Sequence, residues 1–212
     1  YDADRLPLLW FGLYQESSIV LLEEIAARNG YTIGDWKSSV NEKAFTSNIQ
    51  RIKDHIAAGE TYQVNYTFRL NTQFSGDPLA YFLNLQTAQN GLYGAYIDGG
   101  SWAICSASPE LFFTLEGDLL ESRPMKGTAA RGLSWQDDVT QINWLQRSEK
   151  NRAENVMIVD LVRNDLARSC RPGSVQVDEL FGIYPFRQVH QMISTVSGRL
   201  RPDVHFTRAI QH

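Results

Sequence analysis

The stretch ELFFTLEGDLLESRPMKGT, residues 110–128, decides how the fold of the chain is interpreted. Apolar residues dominate positions 111–115 and 119–122, and the Glu-Gly-Asp sequence between them has the composition of a hairpin turn. We therefore expect two antiparallel strands here. Since proline cannot donate a ladder hydrogen bond, Pro124 should end the second strand, and Lys126 should project from a rigid turn beside a glycine.

Two residues of this stretch could carry chemistry. Glu110 begins the first strand and Lys126 follows the second, so both side chains should emerge at the same end of the sheet. A carboxylic acid and an amine at one sheet end form a plausible catalytic pair. Lysine is a nucleophile only when unprotonated, a form that burial or a nearby cation favours. A solvated lysine and a surface glutamate remain the structural alternatives.

A helix further along carries the next candidate, Glu154. Positions three or four apart share a helix face, and the polar and apolar residues at such spacings are Asn151, Glu154, Ile158, Leu161 and Asp165. A carboxylate beside an apolar stripe is either a salt-bridged rim residue or a ligand for a hard cation. Mg²⁺ binds one or two carboxylates together with substrate oxygens and water.

The sequence around these motifs predicts an α+β fold with mostly antiparallel sheets. Helices are expected at residues 23–29, from a cap at Thr46 or Ser47 to Gly59, over 78–90, and over 144–168. Strands are expected at residues 8–14, 18–22, 62–70, 93–97, 102–105, 174–180 and 189–197, with a loop over 32–43.

The bulk composition excludes some classes of function. The 212 residues carry a formal net charge of −4, with no basic cluster, so we expect no nucleic-acid partner. No uncharged apolar run approaches 18 residues, so we expect no membrane span. Cys105 and Cys170 are far apart, which favours two reduced thiols in a cytoplasmic protein over a disulfide.

Five blocks follow one another along the chain. They are GETYQVN at 59–65, SPE at 108–110, RPMKGT at 123–128, RAEN with IVDLVRNDL at 152–166, and VHQMIST at 189–195. Together they resemble the chorismate-utilising enzymes, and because they occur in order and cover nearly all 212 residues the resemblance is highly specific. It implies a layered β-sandwich with flanking helices, the chorismate-binding fold.

Lys126 directs the resemblance to one branch of the family, the aminodeoxychorismate synthases, which have lysine where anthranilate synthases have alanine. The resemblance implies that Lys126 adds to C2 of chorismate and helps to expel the C4 hydroxyl. Ammonia from a glutamine amidotransferase partner then attacks C4 and gives 4-amino-4-deoxychorismate, the precursor of para-aminobenzoate and folate. A tethered amine replaces one difficult substitution by two easier steps.

The resemblance also implies roles for other residues. Glu110 matches a general acid for departure of the hydroxyl, and Glu154 matches a Mg²⁺ ligand. Gly127 and Thr128 are expected to lie against the substrate. A family histidine falls on Gln191 here, which could hydrogen-bond to substrate but cannot transfer protons. His190 is one position earlier, and a one-residue shift faces the other side of a strand, so that role is not transferred to it.

We expect residues 1–45 to end an N-terminal region and residues 46–212 to form the first part of the chorismate-binding domain. The C-terminal part of the family's domain, with its second Mg²⁺ glutamate, is expected to be missing, which should leave the chain alone inactive. Two alternatives stay open: anthranilate synthase component I, and a remnant that keeps the fold without catalysis.

Overall fold

The computed structural model describes residues 12–21, 24–25 and 29–205. The described residues divide into two compact units, one within residues 14–81 and one made of residues 12–13 and 82–205. Helix α2, Pro78–Gln89, spans the division, and it matches the predicted helix over 78–90 to within one residue. Asn90, with φ of 51°, ends it one residue before the predicted Gly91.

The unit of residues 14–81 is built on helix α1, Glu42–Ala57. The predicted caps at Thr46 and Ser47 are wrong, because Asn41 accepts a 2.8 Å hydrogen bond from the backbone N–H of Ala44 and starts the helix a turn earlier. The expected loop over 32–43 also contains parts of two small antiparallel pairs. Strand β1, Tyr31–Ile33, pairs with β4, Phe74–Gly76, and β2, Lys37–Ser38, pairs with β3, Leu70–Asn71.

The predicted strand over residues 62–70 is wrong except at its end. Residues 61–69 form no ladder, and pairing begins only with Leu70 in β3. The alternation of aromatic residues has another cause, since Tyr66 and Phe68 pack their rings against Phe45 of α1 at centroid distances of 5.6 and 6.0 Å. Alternating side chains therefore cover a helix here without a neighbouring strand.

In the unit of residues 82–205, both predicted hairpins are confirmed. Strands β5, Tyr93–Asp98, and β6, Ala103–Ser108, pair antiparallel around the expected turn. Strands β7, Leu111–Glu116, and β8, Leu119–Arg123, do the same, and Gly117 supplies the positive φ of 62° that their turn requires.

The sequence predicted that the chain leaves the sheet at Pro124, and this prediction is wrong. A further strand, β9, runs over Met125–Ala130, so Lys126 lies in a strand and not in a loop. Both β8 and β9 pair antiparallel with one long strand, β11, Val189–Arg199, which pairs on its other side with β10, Gln176–Pro185. Pro124 lacks an N–H, but its carbonyl accepts a 3.1 Å hydrogen bond from the N–H of Ser194, and the strand direction continues past it.

The predicted long helix over 144–168 is two helices. Helix α3 covers Trp135–Arg147 and starts nine residues earlier than expected, within the polar stretch of residues 132–139. Ser134 caps α3, and Ser148 caps helix α4, Glu149–Ser169. Ser148 breaks the helical run because its extended backbone, with ψ of 108°, lets its hydroxyl accept from the N–H of Asn151.

Helix α4 covers the central strands and buries the main core between them. Val159 and Leu166 of the helix pack with Leu120 of β8 and Val196 of β11, and Cys170 at the end of the helix joins them. A second cluster holds Ala129, Leu145 and Met192 and connects α3 to β9 and β11. The two clusters fix both helices on the sheet beside β9.

The architecture confirms the predicted α+β class with antiparallel sheets. The strand predicted at 8–14 and the helix at 23–29 fall largely outside the described residues, and residues 18–21 form no strand. The predicted domain boundary at residue 45 falls inside α1 and remains a prediction. Within the described ranges, no helix combines the length and apolar character that crossing a bilayer requires.

Candidate active site

Glu110 lies at the corner between β6 and β7. Its backbone is held by Ser108, whose Oγ accepts from the N–H of Glu110 at 3.3 Å and donates to its carbonyl at 3.1 Å. The carboxylate reaches across to the start of β9, where Oε1 accepts a 2.9 Å hydrogen bond from the N–H of Met125. The exposed glutamate is therefore tied to the residue that precedes Lys126.

Lys126 is half-buried and lies at an irregularity in the pairing of β9 with β11. Met125 pairs with Ile193 and Thr128 pairs with Gln191, so Lys126 and Gly127 together stand opposite the single residue Met192. This two-against-one arrangement is a β-bulge, a device that re-aims side chains next to functional sites.

Gly127 makes the bulge possible. Its φ of +108° is a backbone conformation that side chains rarely allow. A Cβ at this position would stand 3.1 Å from Cβ of Met192, 3.2 Å from Cβ of Asn151 and 3.4 Å from Cδ1 of Leu145. The close packing of β9 beneath α3 and α4 therefore depends on the absence of a side chain here.

Asn155 of α4, which the sequence analysis did not single out, binds this bulge directly. Its Nδ2 group donates to the carbonyl of Lys126 at 3.2 Å and to the carbonyl of Met192 at 3.3 Å. One sequence signal could have identified it: it occupies the position, four residues before Val159, where the apolar stripe of α4 calls for a hydrophobic residue.

Thr128 and Gln191 form a side-chain pair across β9 and β11. The hydroxyl of Thr128 donates to Oε1 of Gln191 at 2.8 Å. Thr128 is exposed and Gln191 is half-buried, so the pair is accessible from one side of the sheet. His190, its neighbour, points elsewhere: it is 1% exposed, and its Nε2 lies 3.0 Å from Oδ1 of Asp138.

The Asp138 carboxylate is part of a structural clamp. Arg131 donates to both of its oxygens, with Nε 3.1 Å from each, and the N–H of Gly132 donates to Oδ1 at 2.6 Å. These bonds, led by the one from Arg131, hold the pKa of Asp138 well below its usual range. The clamp connects the segment after β9 to His190 of β11 and leaves the histidine no open path to a ligand.

Glu154 precedes Asn155, so it stands on α4 at the level of the Lys126 bulge. Its side chain is 35% exposed and pairs with Nζ of Lys150 at 3.8 Å, a loose pair that leaves the carboxylate available. No group of three or more histidine, cysteine, aspartate or glutamate side chains in the described part of the chain could enclose a metal ion. Glu154 is therefore a single carboxylate, which fits one ligand position of Mg²⁺.

Glu110 is thus tied to the residue that precedes Lys126, and the helix that carries Glu154 is bonded through Asn155 to the backbone carbonyl of Lys126. Gly127 is packed beneath the helices, and Thr128 is bonded to Gln191. The acid, the amine and the carboxylate are the residue types that can serve proton transfer, nucleophilic attack and cation binding respectively.

Comparison with known proteins places the chain in a family. The family model for chorismate binding enzymes matches residues 12–212. Aminodeoxychorismate synthase component 1 of Escherichia coli is 35% identical over 184 residues, which are 86% of this chain and 41% of that protein. The Bacillus subtilis protein of the same name is 38% identical over 170 residues, 80% of this chain and 36% of that protein.

Solved structures agree with the fold. Anthranilate synthase component I from Streptococcus pneumoniae superposes with a TM-score of 0.76 at 28% identity, over 84% of this chain and 39% of that one. An isochorismate synthase of Bacillus anthracis, at 19% identity and a TM-score of 0.70, shares the fold. The chain spans about two-fifths of the length of the curated relatives described above. On the family match across nearly its whole length, the chain belongs to the chorismate binding enzymes.

Proposed function

We propose that this chain carries the amination chemistry of an aminodeoxychorismate synthase component 1, which converts chorismate and ammonia into 4-amino-4-deoxychorismate and water. Relatives of that name from several bacteria are 35–38% identical to it. The observation that carries the proposal is the half-buried Lys126 in a bulge of β9, with Glu110 hydrogen-bonded to the preceding residue.

The proposed reaction has two steps. In the first, the neutral amine of Lys126 bonds to C2 of chorismate, the two conjugated ring double bonds shift, and the C4–O bond breaks as the hydroxyl takes a proton from Glu110 and leaves as water. In the second, ammonia bonds to C4, the two double bonds shift back, and the C2–N bond breaks with its electron pair returning to the lysine nitrogen. The ammonia nitrogen, now bonded to C4, loses one proton, which restores the acid form of Glu110. Two displacements of this kind avoid a direct substitution at C4.

Glu110 is the proposed proton donor to the departing hydroxyl, which leaves as water. Its exposed position allows proton exchange with solvent, and the hydrogen bond from Met125 holds it near Lys126. General acids held in reach of a leaving group typically contribute about 10²–10⁴-fold to the rate.

Glu154 is the proposed Mg²⁺ ligand of this chain. Bound Mg²⁺ would neutralise the ring carboxylate of chorismate and polarise the ring. One half-exposed carboxylate supplies a single protein ligand, and Mg²⁺ commonly completes its shell with substrate oxygens and water. We also propose that Gly127 and the Thr128–Gln191 pair contact the substrate.

The proposal includes a partner and a location. The name component 1 of the relatives implies a second component, and we propose a glutamine amidotransferase that supplies ammonia. We place the enzyme in the cytoplasm, because both cysteines, Cys105 and Cys170, are free thiols and such thiols persist in reducing compartments.

Anthranilate synthase component I remains the second candidate, because a solved protein of that name superposes on this chain with a TM-score of 0.76. The two functions differ in the need for Lys126. Its change to alanine should abolish amination at C4 in an aminodeoxychorismate synthase and be tolerated in an anthranilate synthase.

The test uses the full-length product of the gene that encodes this chain, assayed with chorismate, Mg²⁺ and ammonium salt. We expect 4-amino-4-deoxychorismate from the unchanged protein and none from Lys126→Ala, while Lys53→Ala, a change at an exposed lysine of α1, keeps full turnover. Formation of anthranilate by both the unchanged protein and Lys126→Ala would establish the second candidate. No product and no Mg²⁺-dependent chorismate binding would identify a non-catalytic remnant.

A further inference from the structure

Asn155 is a fully buried polar side chain in an otherwise apolar contact. It has no exposed surface, and the residues that follow it on the same face of α4, Val159 and Leu166, belong to the hydrophobic core. Burial of an amide costs free energy unless its hydrogen bonds are made. The side chain therefore persists at this place only with well-matched partners.

The partners are the two carbonyls at the bulge. Lys126 and Gly127 stand opposite Met192, and a bulge locally interrupts the ladder of backbone hydrogen bonds. The two hydrogens of the Asn155 amide fit the carbonyls of Lys126 and Met192, one on each strand. Their positions also fix the orientation of the amide, because a flipped side chain would turn its oxygen toward two other oxygens.

The oxygen of the same amide leads to a second irregularity. Oδ1 of Asn155 accepts a 2.6 Å hydrogen bond from Oγ of Ser194, and that Oγ accepts from the N–H of Phe181 at 3.1 Å. Phe181 has a φ of 62° and lies where the pairing of β10 with β11 shifts register. Asn155 thus has its two donors and its acceptor engaged, with bonds to β9 and β11 and a link to β10.

We propose that Asn155 is a positioning residue for Lys126: by holding the carbonyls on both sides of the bulge, it sets where the lysine amine meets the substrate. The inference rests on the proposed function of Lys126. Asn155 is fully buried and bonds to backbone carbonyls and to Ser194, so it acts through the position of the backbone. A displacement of about 1 Å in a reacting group can cost about 10²-fold in rate.

The test replaces Asn155 by aspartate in the full-length gene product. Aspartate has nearly the same shape but presents an oxygen to both carbonyls, so the bulge must move. We expect kcat for amination to fall about 100-fold, as for a displaced reacting group, while KM for chorismate changes by less than about threefold. Should this variant fail to fold, Asn155→Thr, whose hydroxyl can donate to one carbonyl, takes its place.

The matched control is Ser194→Ala. It removes a buried hydrogen-bonding partner from the same network but leaves both bonds from Asn155 to the bulge. We expect it to lower the melting temperature as Asn155→Asp does, with kcat within about twofold of the unchanged protein, because no contact with Lys126 is lost.

Two results would overturn the positioning role: a kcat within twofold for the Asn155 variant, or an equal loss of kcat in Ser194→Ala at an equal loss of melting temperature. Lys126→Ala tests the underlying function separately from the positioning role. If the Lys126→Ala variant still aminates chorismate, the proposed role of Lys126 as nucleophile is disproved. If Lys126→Ala is inactive and Asn155→Asp is fully active, only the positioning role of Asn155 is disproved.

Discussion

The carboxylate of Glu110 and the backbone N–H of Met125 are joined by a hydrogen bond of 2.9 Å, although fifteen residues separate them. This bond closes the corner where the hairpin of β7 and β8 meets the start of β9. It gives Glu110 two separable tasks, acceptor for a strand and proposed donor of a proton, and the two tasks respond differently to substitution.

Glu110→Gln should separate those tasks. The amide oxygen of glutamine can still accept from the N–H of Met125, so the melting temperature should change little, with a stability change of about 0.5 kcal/mol or less. Glutamine cannot release a proton as an acid, so kcat for amination should fall about 10²–10⁴-fold. Steady-state kinetics and thermal melts of the full-length gene product measure both. A glutamine variant that keeps its kcat would disprove the acid role.

Gly127→Ala should destabilise the protein by about 1–3 kcal/mol, because the new Cβ meets Met192 and Asn151 at 3.1–3.2 Å in a backbone conformation that alanine resists. Gly117→Ala is the control: it also has a positive φ, 62°, but its Cβ would meet nothing within 4 Å, so about 1 kcal/mol is expected. Urea unfolding of both variants measures the two changes in the free energy of unfolding. Equal losses would contradict the proposed clash of the new Cβ with Met192 and Asn151.

Leu145→Ala should cost about 2–5 kcal/mol of unfolding free energy, since Leu145 has no exposed surface and packs with Met192 and Ala129 between α3 and the sheet. Leu133, at 103% exposure, offers the matched change Leu133→Ala, for which about 0.5 kcal/mol or less is expected. The comparison is made by chemical denaturation. If the two variants unfold at the same urea concentration, α3 is not anchored as described.

Asp138 should contribute to the loss of folding stability at acid pH. Its pKa is lowered in the folded state, so the stability it contributes is complete above the ordinary carboxyl pKa of about 4 and is lost as pH falls toward the lower folded value. Asp138→Asn should therefore melt lower than the unchanged protein at pH 7 and lose less between pH 5 and pH 2. Melting curves across that range check the sign.

The control for Asp138 is Asp160→Asn, which removes an exposed ion pair with Arg163 on the surface of α4. Exposed pairs contribute little to stability, so this variant should follow the unchanged protein at every pH. Parallel curves for Asp138→Asn and the unchanged protein from pH 5 to pH 2 would show that the clamp to Arg131 does not carry the acid sensitivity.

Local patterns sufficed for the elements whose cause is local. The two hairpins follow from turn residues between apolar runs, and α2 follows from an aspartate and proline at its start. The strand β9 could not be predicted this way, because Pro124 signals an end and only the distant β11 supplies a partner for Lys126 and its neighbours. The break at Ser148 is hard to predict because serine, although favoured at N-caps, is also found within helices, so a single serine does not mark a boundary.

The contacts of the candidate site also differ in whether local sequence patterns predict them. The bond between Glu110 and Met125 agrees with the antiparallel pairing of two strands that are neighbours in the sequence. The meeting of the Glu110 and Lys126 side chains stays a prediction. The link from Asn155 to Lys126 spans 29 residues, and the one to Ser194 spans 39. Such contacts arise only when α4 packs on the sheet, so spacing along the chain carries no direct sign of them.

Strand β11 has a further consequence for the variation that the protein tolerates. Its eleven residues pair with β10 along one edge and with β8 and β9 along the other. Deletion of one residue in β11 would turn every side chain beyond it to the opposite face of the sheet. It would also shift the pairing of β11 with its three neighbouring strands. Evolution and engineering can therefore change the length of surface turns such as the one between β5 and β6, whereas changes in the length of β11 should be among the least tolerated in the chain.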